Sequence, residues 1–177
     1  MAHNRYRDDP EGQVVQAAEP FESFFRREFP RMVAIAYGIS GSRWAAEELA
    51  QEALLRAFRA WSEVSKYDKP GAWLRRVTIN LCSSLLRRRV SELKALERFA
   101  FSSVEPIDPM VGEDSRFWDE VKLLPRRQRE VVVLRSVDDM TTPDIAAVLG
   151  ISESAVRTHL QRAREALMQK LALGGSE

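Results

Sequence analysis

Apolar residues recur at intervals of three and four along most of this chain, and no segment keeps the period of two that a half-buried strand requires. Residues 21–39 carry Phe21, Phe24, Phe25, Phe29, Met32, Val33, Ile35 and Ala36 on a helical stripe, which Pro30 is expected to bend or interrupt. Ser40-Gly41-Ser42 breaks the pattern. Residues 44–61 resume it, with Leu49, Ala53, Leu54, Ala57, Phe58 and Trp61 on one side. After a turn-rich piece at 63–71, residues 72–92 predict a long helix. Trp73, Leu74, Val77, Leu81 and Leu85 point inward, and Arg75, Arg76, Arg87, Arg88 and Arg89 point outward. Ser102, Ser103, Pro106, Pro109 and Gly112 then argue against continuous helix, and a second helical block begins near Arg116.

Every junction of that second block is marked. Pro125 can open a helix, because its missing N–H would lack a partner in the first turn anyway. Val131, Val132 and Leu134 give residues 126–135 an apolar side, and Asp138 and Asp139 end it. Thr141 and Asp144 have the spacing of a capping box, with Pro143 tolerated in the first turn. Ile145, Ala146, Val148 and Leu149 form a short apolar face, and Gly150 can close it left-handed. Ser152 caps a last helix in which Val156, Leu160, Ala163, Leu167 and Leu171 face inward. Arg157, Thr158, Gln161, Arg162 and Arg164 face outward. Two short helices joined through a glycine, the second with a donor-rich face, suit a DNA major groove. A purely structural helical hairpin with a basic face is the competing reading.

Composition narrows the function. No apolar run approaches the length of a membrane span, and the first residues lack the apolar core of a secretory signal, so a cytoplasmic protein without membrane insertion is expected. Cys82 is the only cysteine and sits in an apolar helical context, where a buried thiol is the default. The two histidines, His3 and His159, are far apart. There is no metal-ligand spacing, no glycine-rich phosphate loop and no nucleophile motif, so neither an enzyme nor a cofactor nor a small-molecule substrate is expected. The net charge of +1 hides a division. Residues 20–95 hold 14 Lys and Arg against 8 Asp and Glu, residues 96–118 hold 2 against 5, and residues 119–177 are balanced at 9 each. A basic, polyanion-binding block is thus followed by an acidic connector. The expected architecture is all-α. A disordered tail over 1–19 precedes a helical domain over 20–95, a flexible acidic linker over 96–115 and a helix-turn-helix domain over 116–173.

Both blocks together resemble the extracytoplasmic-function (ECF) group of bacterial sigma-70-type RNA polymerase sigma factors. Three stretches carry the resemblance, in the group's order. Residues 46–59, AEELAQEALLRAFR, are similar to its polymerase-binding helix. Residues 69–89, from Lys-Pro-Gly-Ala-Trp-Leu-Arg-Arg-Val to Arg-Arg-Arg, are similar to its promoter-melting and −10-reading segment. Residues 124–132, LPRRQREVV, with the helix-turn-helix, look like its −35-reading domain. Ser84 and Thr142 depart from the pattern, standing where an acidic residue and an aromatic are usual.

The resemblance implies a factor that directs core polymerase to −35/−10 promoters and initiates transcription. Glu47, Glu48, Gln51, Glu52 and Arg56 would meet the clamp helices of the polymerase largest subunit; a solvated helix face is the alternative from the residues alone. Tyr67, Lys69, Arg76 and Asn80 supply the cationic, aromatic and amide chemistry that holds an unpaired strand, with Asn80 as base reader, and Arg87 and Arg88 would hold duplex phosphates. Ser152, Glu153 and Ser154 stand at a helix N-terminus where a phosphate is favoured; Glu153 could instead accept from a cytosine amino group. Arg157, Thr158, Gln161 and Arg162 would read the −35 duplex. An anti-sigma protein joins core polymerase and promoter DNA as a candidate partner. A stand-alone helix-turn-helix regulator is the runner-up, and a helical adaptor that binds only proteins is third.

Overall fold

A computed structural model describes residues 19–96 and 115–173, and all elements among them are helices. The first half comprises α1 (Phe21–Ser40), α2 (Arg43–Arg59), the single turn α3 (Trp61–Val64) and α4 (Pro70–Leu96). The second comprises α5 (Ser115–Lys122), α6 (Arg126–Val137), α7 (Thr142–Leu149) and α8 (Glu153–Leu173). The expected connector lies outside the described residues, as does the tail up to residue 18.

Local chemistry accounts for the boundaries. Gly41 takes a left-handed φ of 74° and its N–H closes on Tyr37 O, after which the Ser42 hydroxyl accepts from Ala45 N at 3.3 Å. Such a cap contributes about 1 kcal/mol. Thr141 and Ser152 cap α7 and α8 in the same way, accepting from Asp144 N and Ala155 N. The box at Thr141 is half formed, since Asp144 turns its carboxylate to the Thr141 hydroxyl and to Lys69. Gly150, at φ 64°, ends α7 with its own N–H and that of Ile151 both directed at Ala146 O. Only a residue without a side chain takes that conformation at no steric cost.

One expectation is narrowed and two are corrected. Pro30 does not interrupt α1, which is one helix across it; the ring lies on the exposed side, where the carbonyl it leaves without a partner can be hydrated. Phe58 does not point inward but is 59 % exposed, because Leu54, Ala57 and Trp61 take the face toward α1 and leave Phe58 one step around the helix. Arg75 is not outward either. It is buried to 8 % exposure, with its Nη1 3.2 Å from Glu28 Oε2 on α1 and its Nε and Nη2 donating to Asp138 at the end of α6.

That arginine belongs to the seam between the two helical halves, whose relative arrangement the sequence left open. The two halves are docked, and one apolar cluster runs from Phe24 and Met32 through Leu74 and Cys82 to Val133, Ile145 and Leu167. Small helical blocks leave part of their apolar surface uncovered, and each half here covers the other. Gly38 permits the close approach: a Cβ there would stand 2.9 Å from Val133 Cγ2. Polar links frame the seam. Arg129 donates to Ile39 O at 2.9 Å, and Ser83 donates to the fully buried Glu130 at 3.1 Å while Arg127 pairs with its other oxygen. Burial lowers the Arg129 guanidinium pKa, with Glu130 opposing. Burial, with a smaller contribution from Glu130, pushes the Cys82 thiol up to about 12, so it is protonated at neutral pH.

Replacing Arg75 with Met should lower the unfolding free energy by about 3–5 kcal/mol, because two buried carboxylates lose the cation they share. Urea titration checks this, and the combined Glu28→Gln, Arg75→Met, Asp138→Asn chain should recover most of the loss. An Arg75→Met protein as stable as the native one would refute the buried triad.

Candidate nucleic-acid interface

Helix α8 packs against α5, α6 and α7 through Val156, Ala163 and Leu167 and turns its other side to solvent. On that side Glu153, Arg157 and Gln161 form one row at intervals of four, and Ser154, Thr158 and Arg162 form the next. All six are exposed, as is Ser152. Several are held by neighbours on the same helix: Arg157 pairs with Glu153 at 3.2 Å, Gln161 donates to Glu165 at 3.0 Å, and the Thr158 hydroxyl donates to Ser154 O at 2.9 Å. Ser152 Oγ, which caps α8, is also 2.9 Å from Ser154 Oγ. The structure therefore brings together on one surface all seven residues expected at the duplex.

The strand-holding set is distributed differently. Arg76, Asn80 and Arg87 share one face of α4 at spacings of four and seven, with Arg88 a step around it. Tyr67, 47 % exposed, lies in the turn before the helix. Asn80 is exposed; Arg87 folds back on Ser83 O and Ser84 Oγ, and Arg88 pairs with Glu92. Lys69 and Arg76 reach the other half of the molecule. Lys69 Nζ donates to Asp144 Oδ1 at 2.7 Å, a bond that raises the lysine pKa and, with the Thr141 hydroxyl, lowers that of Asp144. Arg76 donates to Val148 O and Ala147 O, both at 3.0 Å, at the carbonyl end of α7. Beside it, burial lowers the Arg75 pKa, but the Asp138 and Glu28 carboxylates together outweigh burial and leave it raised.

The acidic set is on α2. Glu48, Gln51 and Glu52 share a face, with Leu55 one turn on, while Glu47 pairs with Arg43 at 3.4 Å and Arg56 with Glu52 at 2.7 Å. This face borders an open apolar groove between α1 and α2, floored by Leu49 and Leu54 and walled by Phe21, Phe25, Leu55 and Phe58. Phe21 and Phe58 stand with ring centroids 5.0 Å apart. The groove escaped the sequence reading, which placed Phe58 inside. The signal available was the apolar residue Leu55 inside the acidic row.

A sequence model described as sigma-70 region 2 matches residues 24–92, and one described as sigma-70 region 4 matches residues 115–167. The chain is 33 % identical to the ECF RNA polymerase sigma factor SigE of Mycolicibacterium smegmatis, over 96 % of this chain and 71 % of that one. The chain belongs to the ECF sigma factors. The RNA polymerase sigma-E factor of Streptomyces avermitilis is 31 % identical, over 90 % of this chain and 87 % of the relative. Among solved structures, sigma factor RpoE of Bartonella quintana, in complex with the anti-sigma factor NepR, superposes with a TM-score of 0.73 at 24 % identity. That likeness covers 86 % of this chain and 96 % of the other. CnrH, in complex with the cytosolic domain of CnrY, gives a TM-score of 0.63 at 25 % identity, over 86 % and 88 %. As an ECF sigma factor the chain is a transcription initiation factor that binds core polymerase and promoter DNA. Its first half is region 2 and its second half region 4. Among the described residues no helix is long and apolar enough to cross a membrane.

Ser152→Ala should reduce stability by about 1 kcal/mol through loss of the α8 cap, and Ser152→Asp should retain it. Thermal melting of the two variants checks the cap. Equal melting of Ser152→Ala and native protein would remove Ser152 from that role.

Proposed function

We infer that this sigma factor divides its work among three surfaces: the α1/α2 groove takes core polymerase, the α4 face takes the −10 strand, and the outer face of α8 takes the −35 duplex. The observation that carries this is the sorting of side chains by helix face. Aromatic and leucine walls beside Glu48 and Glu52 suit an amphipathic helix with basic flanks, and carboxylates there repel phosphate. The α4 face presents an amide between arginines, which suits a splayed base between phosphates. The α8 face presents two arginines with a glutamine and a threonine, the groups that hydrogen-bond base edges in a major groove.

The assignments follow from reach and chemistry. Asn80 reads a −10 base, with Tyr67 as a stacking surface, and Lys69 and Arg76 take phosphates of the same strand once free of region 4. Arg87 and Arg88 exchange their intrahelical partners for duplex phosphates. The α8 dipole and its free first-turn amides favour a −35 phosphate at Ser152 and Ser154, and Glu153 releases Arg157 toward guanine or phosphate. The protein works in the cytoplasm without catalysis of its own. An anti-sigma protein, the kind of partner on Bartonella RpoE, is included in this reading. A regulator acting alone on duplex operators would leave the α1/α2 groove without a role.

Transcription by purified core polymerase with this protein, from a promoter mapped after induced expression, tests the reading. Arg157→Ala should weaken −35 use, by about 1–3 kcal/mol of discrimination if it holds a base. Asn80→Ala should change −10 preference and leave −35 use intact. Equal losses at every promoter sequence from both substitutions would overturn the base-reading roles. Leu55→Asp should lower affinity for core polymerase at least tenfold, without changing duplex DNA binding. Unchanged core affinity would remove the groove from the interface.

A further inference from the structure

Tyr67 and Lys69, both assigned to the −10 strand, stand on the short turn between α3 and α4, and that turn is fixed at both ends. Its entry is held by Val64, the last residue of α3, which is 1 % exposed and whose O accepts from Tyr67 N at 3.1 Å. Its exit is held by α4: Lys69 O accepts from Ala72 N at 3.0 Å, so Lys69 moves with the first turn of that helix. The start of α4 rests in its turn on a buried ion pair. Glu28 of α1, 3 % exposed, has its Oε2 3.2 Å from Arg75 Nη1, and its Oε1 accepts from Arg27 Nε at 3.0 Å. The pair lies directly against the backbone of Gly71, where a Cβ would meet Arg75 Nη1 at 2.5 Å and Glu28 Oε1 at 3.5 Å.

We propose that Glu28 is a positioning residue for promoter recognition: through Arg75 and the backbone of Gly71 it sets the turn that presents Tyr67 and Lys69 to the −10 strand. The proposal rests on the −10 reading of those two residues given above. A buried carboxylate is a costly way to join α1 to α4, because it must keep its cation. An apolar side chain at position 28 would fill the same space but would let α4 slide. A carboxylate against a planar guanidinium accepts few geometries. Asp138 also holds Arg75, but of the two carboxylates only Glu28 lies in region 2, the half that carries the strand-holding set. Gly71 is the complement of this contact, since it leaves the guanidinium room beside the start of the helix. Asn80 is nine residues further along α4, about two and a half turns away, so the anchor acts on Tyr67 and Lys69 rather than on the amide.

The test uses the full chain assembled with core polymerase, and reads the affinity of that holoenzyme for a short fluorescent single strand bearing the −10 sequence of a promoter it uses. Two variants disturb the contact from opposite sides without touching a strand-facing group. Glu28→Gln removes the anion, and Gly71→Ala pushes a methyl group against Arg75 Nη1. Each should weaken strand binding about tenfold while core affinity and −35 duplex binding stay native. A double-mutant cycle then separates positioning from general damage. In a Tyr67→Ala, Lys69→Ala background, where Asn80, Arg76 and Arg87 still hold the strand, Glu28→Gln should cost less than about twofold, because the groups it positions are gone. A penalty that persists undiminished in that background would overturn the positioning role. Native strand affinity in both single variants would overturn it as well. So would a parallel loss of core affinity, which would make the pair a prop for the whole half. If Tyr67→Ala with Lys69→Ala alone leaves strand affinity unchanged, the −10 reading of those residues has failed; if it weakens binding and Glu28→Gln does not, only the role of Glu28 has.

Discussion

A guanidinium shut away from water between two carboxylates is the constraint around which this molecule is arranged. Arg75 could not be buried alone, because an uncompensated charge in the interior costs several kcal/mol. Glu28 and Asp138 make its burial tolerable, and they come from α1 and from the end of α6, on opposite sides of the seam. Glycine makes room for it: a Cβ at Gly71 would lie 2.5 Å from Arg75 Nη1. Buried ion pairs add little net stability over a well-packed apolar contact, but they accept few alternative geometries. The triad therefore acts chiefly on register, holding α4 against the α6–α7 corner so that Lys69 meets Asp144 and Arg76 meets the end of α7.

Around that centre the halves exchange helix caps. Arg129 of region 4 donates to a carbonyl at the end of α1, and Arg76 of region 2 donates to two at the end of α7. Each satisfies acceptors that a helix terminus leaves without an internal partner and places positive charge at a negative dipole end. Contacts to region 4 are made near the C-terminal end of α1, at Gly38 and Ile39, and Glu28 further back joins the seam through Arg75, whereas the apolar groove lies beside Phe21 and Phe25 at the N-terminal end. Twenty helical residues span about 30 Å. One helix thus carries the groove proposed for polymerase near one end and the Gly38 and Ile39 contacts near the other.

The helices and their ends were legible because their signals are local. Gly41, Gly150, Ser42, Thr141 and Ser152 act on backbone groups within a few positions, and the three-four spacing of apolar residues survives any tertiary arrangement. The outer face of α8 was legible for the same reason, since all its members lie on one helix. Arg75 and Phe58 were misplaced for one shared reason. A helix pattern gives an angle around an axis, but which angles are covered depends on partners distant in the chain. Asp138 is 63 positions from Arg75, and no periodicity within α4 points to it. Glu28 and Glu130, both charged and both buried, were invisible to a reading that places charges outside.

By itself the sequence determined the helical class, the order of the elements, the helix-turn-helix with its caps, the division of charge and the three stretches that mark an ECF sigma factor. Those depend on interactions between near neighbours or on residue identity alone. Only the tertiary structure decided that the two halves share one apolar cluster, that Lys69 and Arg76 are engaged by region 4 while Asn80 is exposed, and that Phe21 and Phe58 wall an open groove. These depend on which surfaces meet across the chain. That choice is made by shape and charge complementarity between segments dozens of residues apart.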